Sequence, residues 1–252
     1  MDAWLDAHAV QFVDNKNEEP PANFSWFGTP ADGIVKDQAI CGSCWAFAAT
    51  EAMQGAWYVA TNESLSFSEQ QLVDCAWDFF NNACEGGFVS TAVLYAVYNN
   101  GLASEMAYPY KGYDDYCNHD VENIAKFSNV GIAGRFEPGT VKKALAEYGP
   151  LGVSMDAGHL DFRFYKSGVF YQPECKSNRT NHAVTLIGYD KDENGKNYWF
   201  LKNSWGKIWG DKGYFKMDAD EFDCGVTYRP VFAVPDEEAV KKRREELHSH
   251  NA

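Results

Sequence analysis

The segment that organises this chain is Gln38-Ala39-Ile40-Cys41-Gly42-Ser43-Cys44-Trp45-Ala46-Phe47. After Cys44 the chain is rich in small residues and spaced aromatic residues, a composition typical of a helix packed closely inside a protein. Ser43 is a residue type that favours the N-cap, so Cys44 is predicted to lie in the first turn of a helix that ends near Ala60. The unpaired amides and the dipole at a helix N-terminus stabilise a thiolate, whereas a free thiol has a pKa of roughly 8.5. The position therefore predicts a nucleophilic cysteine.

A nucleophilic thiol needs a base to take its proton and donors to hold the charge that develops on the attacked carbonyl. His182 lies 138 residues after Cys44, and the run Lys202-Asn203-Ser204-Trp205-Gly206 follows. With Cys41-Gly42-Ser43-Cys44-Trp45, these features resemble the papain family of cysteine peptidases, in which histidine and asparagine follow the cysteine by roughly 130 to 150 residues. Asn203 lies 159 residues after Cys44, slightly beyond that window, but its motif matches. The resemblance spans about residues 21–234.

The resemblance implies a role for each residue of the candidate catalytic site. Cys44 is the expected nucleophile, and His182 is the expected base, which becomes the acid for the departing amine. Asn203 is expected to orient the imidazole through its side-chain carbonyl without adding a competing charge. Gln38 matches the glutamine whose amide works with the backbone N–H of Cys44 as the oxyanion hole. Ala39 departs from the family, which usually has glycine at that position.

The resemblance also implies a cleft that binds the substrate backbone as an extended strand beside Gly86 and Gly87. Trp205 is expected to cover the contact between His182 and Asn203. Apolar or aromatic specificity is expected for the pocket that takes the substrate residue two before the scissile bond. The residues that line this pocket by resemblance are Phe88, Val89, Ser154, Thr180 and Ala183.

The floor of that pocket departs from the family pattern. After Cys224 and Gly225 the chain reaches Pro230 sooner than its relatives, and a simple count places Arg229 at the floor. Arg229 is therefore expected either to enter the pocket and admit acidic residues or to be displaced by the shortened loop.

The chain contains seven cysteines, and an odd number suggests a free thiol beside paired ones. Six cysteines can pair in 15 ways, which the spacing alone leaves open. The resemblance implies the pairs Cys41–Cys84, Cys75–Cys117 and Cys175–Cys224, with Cys44 free. Disulfides indicate an oxidising, secretory route, and N-glycosylation sequons begin at Asn23, Asn62 and Asn178. We expect a lysosomal, vacuolar or extracellular protein.

Composition narrows the class of protein. The chain has 252 residues, 45% of them apolar, which suffices for one large domain or two small ones. Its net charge of −14 argues against nucleic acid or an anionic membrane surface as partner. No run of about 18 apolar residues is present to span a membrane. No second pair of ligands stands at a spacing suited to zinc, so neither a metal nor a cofactor is expected.

The pattern of elements predicts an α+β protein. Helices are predicted over about 44–60, 68–74, 89–99 and 140–148, and an extended segment over 24–35. Short strands are predicted at 151–155, 169–171, 182–189, 197–203 and 213–217. The resemblance implies a two-lobe papain-like fold with a helical lobe (about 20–120), a β-barrel-like lobe (121–234) and the active-site cleft between them.

A predicted hairpin links His182 to Asn203. Asp192-Glu193-Asn194-Gly195 is a turn signal between their two strands, so both residues are expected at the open end of the hairpin. A two-residue turn would set Asn203 opposite Leu186, and an earlier-centred loop would set it opposite Val184.

The two ends of the chain are expected to differ from the peptidase domain at 20–234. Residues 1–19 contain no apolar signal-peptide core and resemble the remnant of a pro-segment, with the mature start at 20–22 and a signal expected upstream. Residues 235–252 carry helical charge pairs without an apolar face, which predicts a solvated, partly ordered tail. Trp209 is expected to be exposed or half packed.

The sequence thus predicts a cysteine endopeptidase acting on polypeptides, monomeric, and bound by its own pro-segment and by cystatin-like inhibitors. One alternative is a catalytically silent relative that binds protein. Another is a dithiol redox protein, because Cys41-Gly42-Ser43-Cys44 is also a Cys-x-x-Cys motif.

Overall fold

The structure is a computed structural model that describes residues 8–12 and 19–250. The expected pro-segment remnant at 1–19 lies mostly outside the described residues. Within the described ranges, no helix combines the length and the apolar character that crossing a membrane requires.

The described α-helices are α1 (Cys44–Thr61), α2 (Glu69–Cys75), α3 (Val89–Tyr98), α4 (Pro138–Tyr148), α5 (Leu160–Arg163) and α6 (Glu237–His250). The described strands are β1 (Val10–Gln11), β2 (Phe24–Ser25), β3 (Leu102–Ala103), β4 (Asn123–Ala125), β5 (Phe127–Ile132), β6 (Leu151–Met155), β7 (Val169–Phe170), β8 (His182–Lys191), β9 (Asn197–Lys202), β10 (Tyr214–Asp218) and β11 (Val231–Pro235). The main sheet has the order β1-β5-β11-β6-β8-β9-β10-β7, with β2 paired to β8, and β3 pairs with β4 separately.

Helix α1 is the centre of the fold and is buried on nearly all sides. It packs on α3 and on strands β6, β8 and β11, and its small residues Ala49 and Ala52 are fully buried. Ser43 occupies the N-cap position as predicted, but its side chain caps no amide. It lies 2.6 Å from the hydroxyl of Tyr110, which in turn donates to the carbonyl of Gln38. Ser43 therefore ties the start of α1 to the loop that carries Gln38 instead of capping the helix.

Two apolar cores confirm the predicted α+β, two-lobe architecture. The first surrounds α1 and α3 and contains Trp45, Trp57 and Phe67. The second lies within the strands of the second half and contains Trp199 and Phe215. The cores meet at β11, where Val231 and Ala233 belong to the first core and Phe232 belongs to the second. The start of α1 and the start of β8 meet where the two lobes face each other.

The hairpin of β8 and β9 adopts the second of the two expected registers. Lys191 pairs with Asn197 across the turn, and an irregularity after Leu186 shifts the register so that Thr185 pairs with Lys202. Continued by one residue, this register sets Asn203 opposite Val184. The β-bulge changes the pairing of the residues beyond it, so that Asn203 lies opposite Val184 and not opposite Leu186, as a regular hairpin with a two-residue turn would have it.

The structure differs from several predictions about local structure. Only Phe24–Ser25 of the expected extended segment at 24–35 forms a strand. Trp209 is buried, because its ring packs on Phe162 and Phe215 and its indole N–H donates to the carbonyl of Arg163 at 3.0 Å. Strands β5 and β11 were not predicted, although they form the side of the sheet that faces the first core.

The C-terminal segment also differs from its prediction. Instead of a solvated tail, Glu237–His250 forms α6, with Ala239 and Val240 packed against the first core. The Arg243 guanidinium pairs in a fork with the Glu63 carboxylate, just beyond the end of α1. A short apolar contact and an ion pair with a residue distant in sequence therefore order a segment that was predicted to be solvated and only partly ordered.

Candidate active site

Cys44 is the first residue of α1 and the one cysteine with a free thiol among the described residues. The other cysteines form Cys41–Cys84, Cys75–Cys117 and Cys175–Cys224, the pairing that the resemblance implies. Because Cys41 is bonded to Cys84, a reversible Cys41–Cys44 pair is not formed, and the dithiol redox interpretation is wrong. The backbone passes so close here that a side chain on Gly42 would lie 2.3 Å from the Cys84 carbonyl oxygen.

The thiol of Cys44 lies at a convergence of backbone amides. It accepts hydrogen bonds from the N–H groups of Ala183, Trp45 and Cys44 itself, and these favour the thiolate. Burial outweighs them and raises the pKa of the Cys44 thiol. The bond to Ala183 places the sulfur directly beside His182, at the start of β8.

The imidazole of His182 is buried and held on two sides. Its Nε2 atom lies 2.8 Å from the side-chain oxygen of Asn203. The ring of Trp205 lies over it at 4.7 Å between centroids, tilted by 32°. Since Asn203 occupies Nε2, Nδ1 is the ring nitrogen available to a neighbouring thiol. Trp205 and Asn203 stand where the sequence predicted them.

Burial lowers the pKa of His182 to about 4, and the hydrogen bond that the imidazole donates to Asn203 only partly opposes this shift. Both Cys44 and His182 are thus neutral when each is considered alone. Transfer of the thiol proton to the imidazole creates two opposite charges in a shielded place, where each stabilises the other. The arrangement can therefore generate a thiolate only as a coupled pair.

Gln38 is buried and fixed at both ends of its carboxamide. Its Nε2 atom donates to the Cys41 carbonyl at 2.9 Å, and its Oε1 atom accepts from the Ser204 hydroxyl at 2.6 Å. An amide nitrogen has two hydrogens, so one remains for another acceptor beside Cys44. Ser204 was not predicted as a site residue, although it lies within the motif that contains Asn203. Ala39 adopts φ 55°, a left-handed conformation that explains why glycine is usual at this position.

Gly86 and Gly87, beside the cleft, favour glycine for different reasons. A side chain on Gly87 would lie 2.6 Å from the ring of Trp45, so no larger residue fits. Gly86 adopts φ 118° and has open space around its α-carbon. Phe88 follows with 48% of its surface exposed, and its amide donates to Asn81 at 2.9 Å.

The other predicted pocket residues converge on one face of the sheet. Ser154 pairs with Ala183 across β6 and β8. Val89, on α3, packs against Gly152 on the same face: a β-carbon on Gly152 would lie only 2.5 Å from the Val89 side chain. Thr180 and the Ser154 carbonyl both lie beside Gly225. Arg229 is half-buried and lies four residues after Gly225, two residues before β11 begins.

A buried charge network behind the site was not predicted. The ammonium of Lys202 lies 2.5 Å from Glu51 in α1 and 3.3 Å from Asp32, and all three side chains are nearly inaccessible. Tyr214 donates a hydrogen bond of 2.9 Å to the same Asp32 carboxylate. Lys202 precedes Asn203, so this network links the two lobes at the residue next to the candidate site. In the sequence, Lys202 beside the Asn203 motif is the feature that could have indicated this network. Its partners Glu51 and Asp32 could not be identified, because they are distant in sequence.

Within the part of the chain that the structure describes, no group of three or more histidine, cysteine, aspartate or glutamate side chains is arranged to hold a metal ion. The described site is built from a thiol, an imidazole, two carboxamides and backbone amides.

Comparison with known proteins places this arrangement in a family. The profile described as Papain family cysteine protease matches residues 21–234. The chain is 41% identical to the "Cathepsin L-like peptidase" of Aedes aegypti over 220 residues, which cover 86% of this chain and 65% of that protein. It is 42% identical to "Cathepsin L2" of Homo sapiens over 197 residues, which cover 76% of this chain and 59% of that protein. The chain thus spans less than two thirds of the length of either relative.

A solved structure gives the same result for the fold. The digestive procathepsin L 3 of Tenebrio molitor larval midgut matches with a TM-score of 0.83 and 32% sequence identity, over 90% of this chain and 73% of that chain. The family profile, these relatives and this fold agree with the motifs around Cys44, His182 and Asn203. The chain belongs to the papain family of cysteine proteases.

Proposed function

We propose that this protein is a cysteine endopeptidase that hydrolyses peptide bonds through a Cys44 thiolate and a His182 imidazolium. The observation that carries the proposal is the position of the Cys44 thiol. It lies at the N-terminus of α1, bonded to the amide of Ala183 and beside an imidazole that Asn203 holds at 2.8 Å. A nucleophile, a base and an orienting group in this order suit acyl transfer.

The first half of the reaction forms a thioester. The Cys44 sulfur attacks the carbonyl carbon of the scissile peptide bond, and the carbonyl oxygen becomes an oxyanion. The free amide hydrogen of Gln38 and the backbone N–H of Cys44 stabilise this charge. The C–N bond then breaks as His182 gives its proton to the departing amine.

The second half releases the acid product. His182, now neutral, takes a proton from a water molecule whose oxygen attacks the thioester carbon. The C–S bond breaks, and the proton returns to the Cys44–His182 pair. The substrate backbone binds as an extended strand at Gly86 and Gly87, with Phe88, Val89, Ser154, Thr180 and Ala183 around one side-chain pocket.

The cellular setting is also proposed. Three disulfides and three sequons support a secretory route to a lysosome-like compartment or the cell exterior. The start of the family match at residue 21 supports the assignment of residues 1–19 to a pro-segment cleaved near 20–22. Cystatin-like inhibitors and a monomeric state belong to the same proposal. N-terminal sequencing of active enzyme tests the cleavage, since material that still begins at Met1 would contradict it.

The activity is tested with a fluorogenic peptide at mildly acidic pH and a thiol-directed peptidyl epoxide. We expect hydrolysis, complete loss of activity on labelling, and label on Cys44 alone by peptide mapping. The Cys44→Ala variant should neither label nor hydrolyse. A folded protein that neither labels nor hydrolyses would contradict the proposal and favour a catalytically silent binding protein.

A further inference from the structure

The two donors of the proposed oxyanion hole come from different segments of the chain. One is the side-chain amide of Gln38, in the loop before α1, and the other is the backbone N–H of Cys44, the first residue of α1. An oxyanion hole works only when both donors meet the same oxygen, so residues 39–43 must hold them at a fixed separation. The conformation of this short loop therefore bears directly on the proposed reaction.

The loop contains a strained residue. Ala39 adopts φ 55°, in the left-handed region that alanine avoids and that glycine adopts freely. The strain favours a relaxed conformation by roughly 5- to 30-fold. A change of φ at Ala39 turns Gln38 relative to Cys44, so relaxation would separate the two donors. Strained conformations persist only where surrounding contacts hold them, and the contacts that hold Ala39 thus have a consequence for catalysis.

The peptide group between Gln38 and Ala39 is held at both of its polar ends. Its carbonyl oxygen accepts a hydrogen bond of 2.9 Å from the Tyr110 hydroxyl. Its N–H donates to the Asp37 carboxylate at 2.9 Å. Asp37 is an exposed neighbour in the same loop, whereas Tyr110 is half-buried and lies 72 residues away in the chain. Tyr110 is therefore the contact that ties this peptide group to the rest of the helical lobe.

The directions of the hydrogen bonds at Tyr110 follow from its single hydroxyl proton. A carbonyl oxygen can only accept, so the Tyr110 hydroxyl donates to Gln38. The hydroxyl of Ser43, 2.6 Å away, therefore donates to the Tyr110 oxygen. Since Ser43 is the N-cap residue of α1, the bonds run from the start of the helix that carries Cys44 to the backbone of Gln38. The phenol thus joins the two segments that supply the oxyanion donors.

The ring of Tyr110 is fixed by contacts that do not involve its hydroxyl. It packs edge-on against Phe47 of α1, with 4.9 Å between ring centroids and 78° between ring planes. The backbone N–H of Tyr110 donates to the Glu105 carboxylate at 3.1 Å. Burial raises the pKa of Tyr110, so the phenol keeps its proton and remains a donor. Tyr110→Phe should therefore remove the bonds to Gln38 and Ser43 and leave the ring packing in place.

We propose that Tyr110 is a positioning residue of the active site, whose hydroxyl holds Ala39 in its left-handed conformation and thereby keeps Gln38 aligned with the N–H of Cys44. The inference rests on the proposed function. An alanine at this position makes the restraint necessary, whereas a glycine would adopt the same conformation unaided.

The test compares steady-state hydrolysis of a fluorogenic peptide with alkylation of Cys44 by iodoacetamide. Tyr110→Phe should lower kcat by about 10-fold with KM nearly unchanged, because the oxyanion forms only as the bond is attacked. Its alkylation rate at a fixed, mildly acidic pH should match the wild type, since alkylation forms no oxyanion. Ala39→Gly in the Tyr110→Phe background should recover most of the lost kcat, because glycine adopts φ 55° without strain.

Tyr108→Phe is the matched control. Tyr108 lies in the same segment, and its hydroxyl bonds to Asp74 at 2.8 Å instead of to Gln38. This variant should lose stability in urea and keep the wild-type kcat.

A folded Tyr110→Phe with wild-type kcat would overturn the inference. So would equal losses of kcat and of alkylation rate, or a loss of kcat that Ala39→Gly leaves undiminished. Each of these results, with a wild type that hydrolyses the peptide, would leave the proposed function intact. If the wild type neither hydrolyses the peptide nor reacts at Cys44, both fail.

Discussion

The hydroxyl of Ser204 donates a hydrogen bond of 2.6 Å to the side-chain oxygen of Gln38, 166 residues away in the chain. This bond fixes the orientation of the Gln38 carboxamide, because a hydroxyl can donate only to its oxygen end. In the proposed mechanism the nitrogen end is the one that donates to the oxyanion. In the proposed mechanism Ser204 is thus a positioning residue that acts through Gln38.

We predict that Ser204→Ala lowers kcat by roughly 10-fold with little change in KM, because the carboxamide then also samples the inverted orientation. Gln38→Ala should cost on the order of 100-fold. The double variant should be no worse than Gln38→Ala alone. Additive losses in steady-state kinetics would show that Ser204 acts by another route.

Ala39 carries a left-handed backbone conformation at φ 55°. This conformation costs an alanine about 1–2 kcal/mol, whereas glycine adopts it freely and loses about 0.5–1 kcal/mol through greater freedom of the unfolded chain. Ala39→Gly should therefore leave the free energy of unfolding unchanged or raise it by up to about 1 kcal/mol. Ala146→Gly within α4 should instead lower it by about 1 kcal/mol. Equal losses in urea unfolding of the two variants would contradict the assigned strain.

Glu69 is fully buried, and the Lys36 ammonium lies 2.8 Å from its carboxylate and 3.5 Å from the carboxylate of Glu105. Burial, opposed by Lys36 and reinforced by Glu105, raises the pKa of Glu69 to about 8. An unfolded glutamate loses its proton near pH 4.3, so the folded state binds more protons between these values. The contribution of Glu69 to the free energy of unfolding should therefore fall as pH rises from about 4.3 to about 8.

The measurement is the urea midpoint at several pH values across that window. Glu69→Gln should flatten the decline whatever its absolute stability, because its side chain does not titrate. Glu193→Gln, on the exposed hairpin turn, should follow the wild type. A difference in midpoint between the wild type and Glu69→Gln that stays constant across the window would contradict the assigned shift.

The link between α6 and α1 should contribute to stability but not to catalysis. Arg243 bonds to Glu63, which also accepts from the Trp57 indole at 3.1 Å. This contact lies at the opposite end of α1 from Cys44, roughly 27 Å away at 1.5 Å per residue. Arg243→Met should lower the free energy of unfolding by about 1 kcal/mol. Its kcat/KM, corrected for active sites titrated with the epoxide, should match the wild type, and a loss there would reveal unexpected coupling.

Local patterns in the sequence predicted much of the fold. The small residues after Cys44 predicted α1, and the apolar runs predicted the core strands, including β6 at its observed bounds. Prediction failed where distant partners decide the structure. Residues 127–132 and 231–235 become strands because they pair with each other. The hairpin register depends on a β-bulge that the residue types in the two strands do not predict.

In the candidate site, too, local patterns were predictive and contacts between distant residues were not. Motifs located Cys44, His182, Asn203 and Gln38, because each chemistry restricts the residue type. The partners that hold these groups are generic residues such as Ser204 and Ala183, whose contacts arise only when the lobes meet. A serine or an alanine carries no signal of this kind in the sequence.

The central claim is that Cys44 and His182 ionise as a pair, because burial raises the pKa of the thiol and lowers that of the imidazole to about 4. Without the imidazole, the thiolate should form only in alkaline solution. The most direct measurement is the rate of Cys44 alkylation from pH 4 to 10 in the wild type and in His182→Ala. We predict fast alkylation between pH 5 and 7 in the wild type, and in His182→Ala a rate that rises only above about pH 8.5. Identical alkaline profiles in the two proteins would contradict the ion pair.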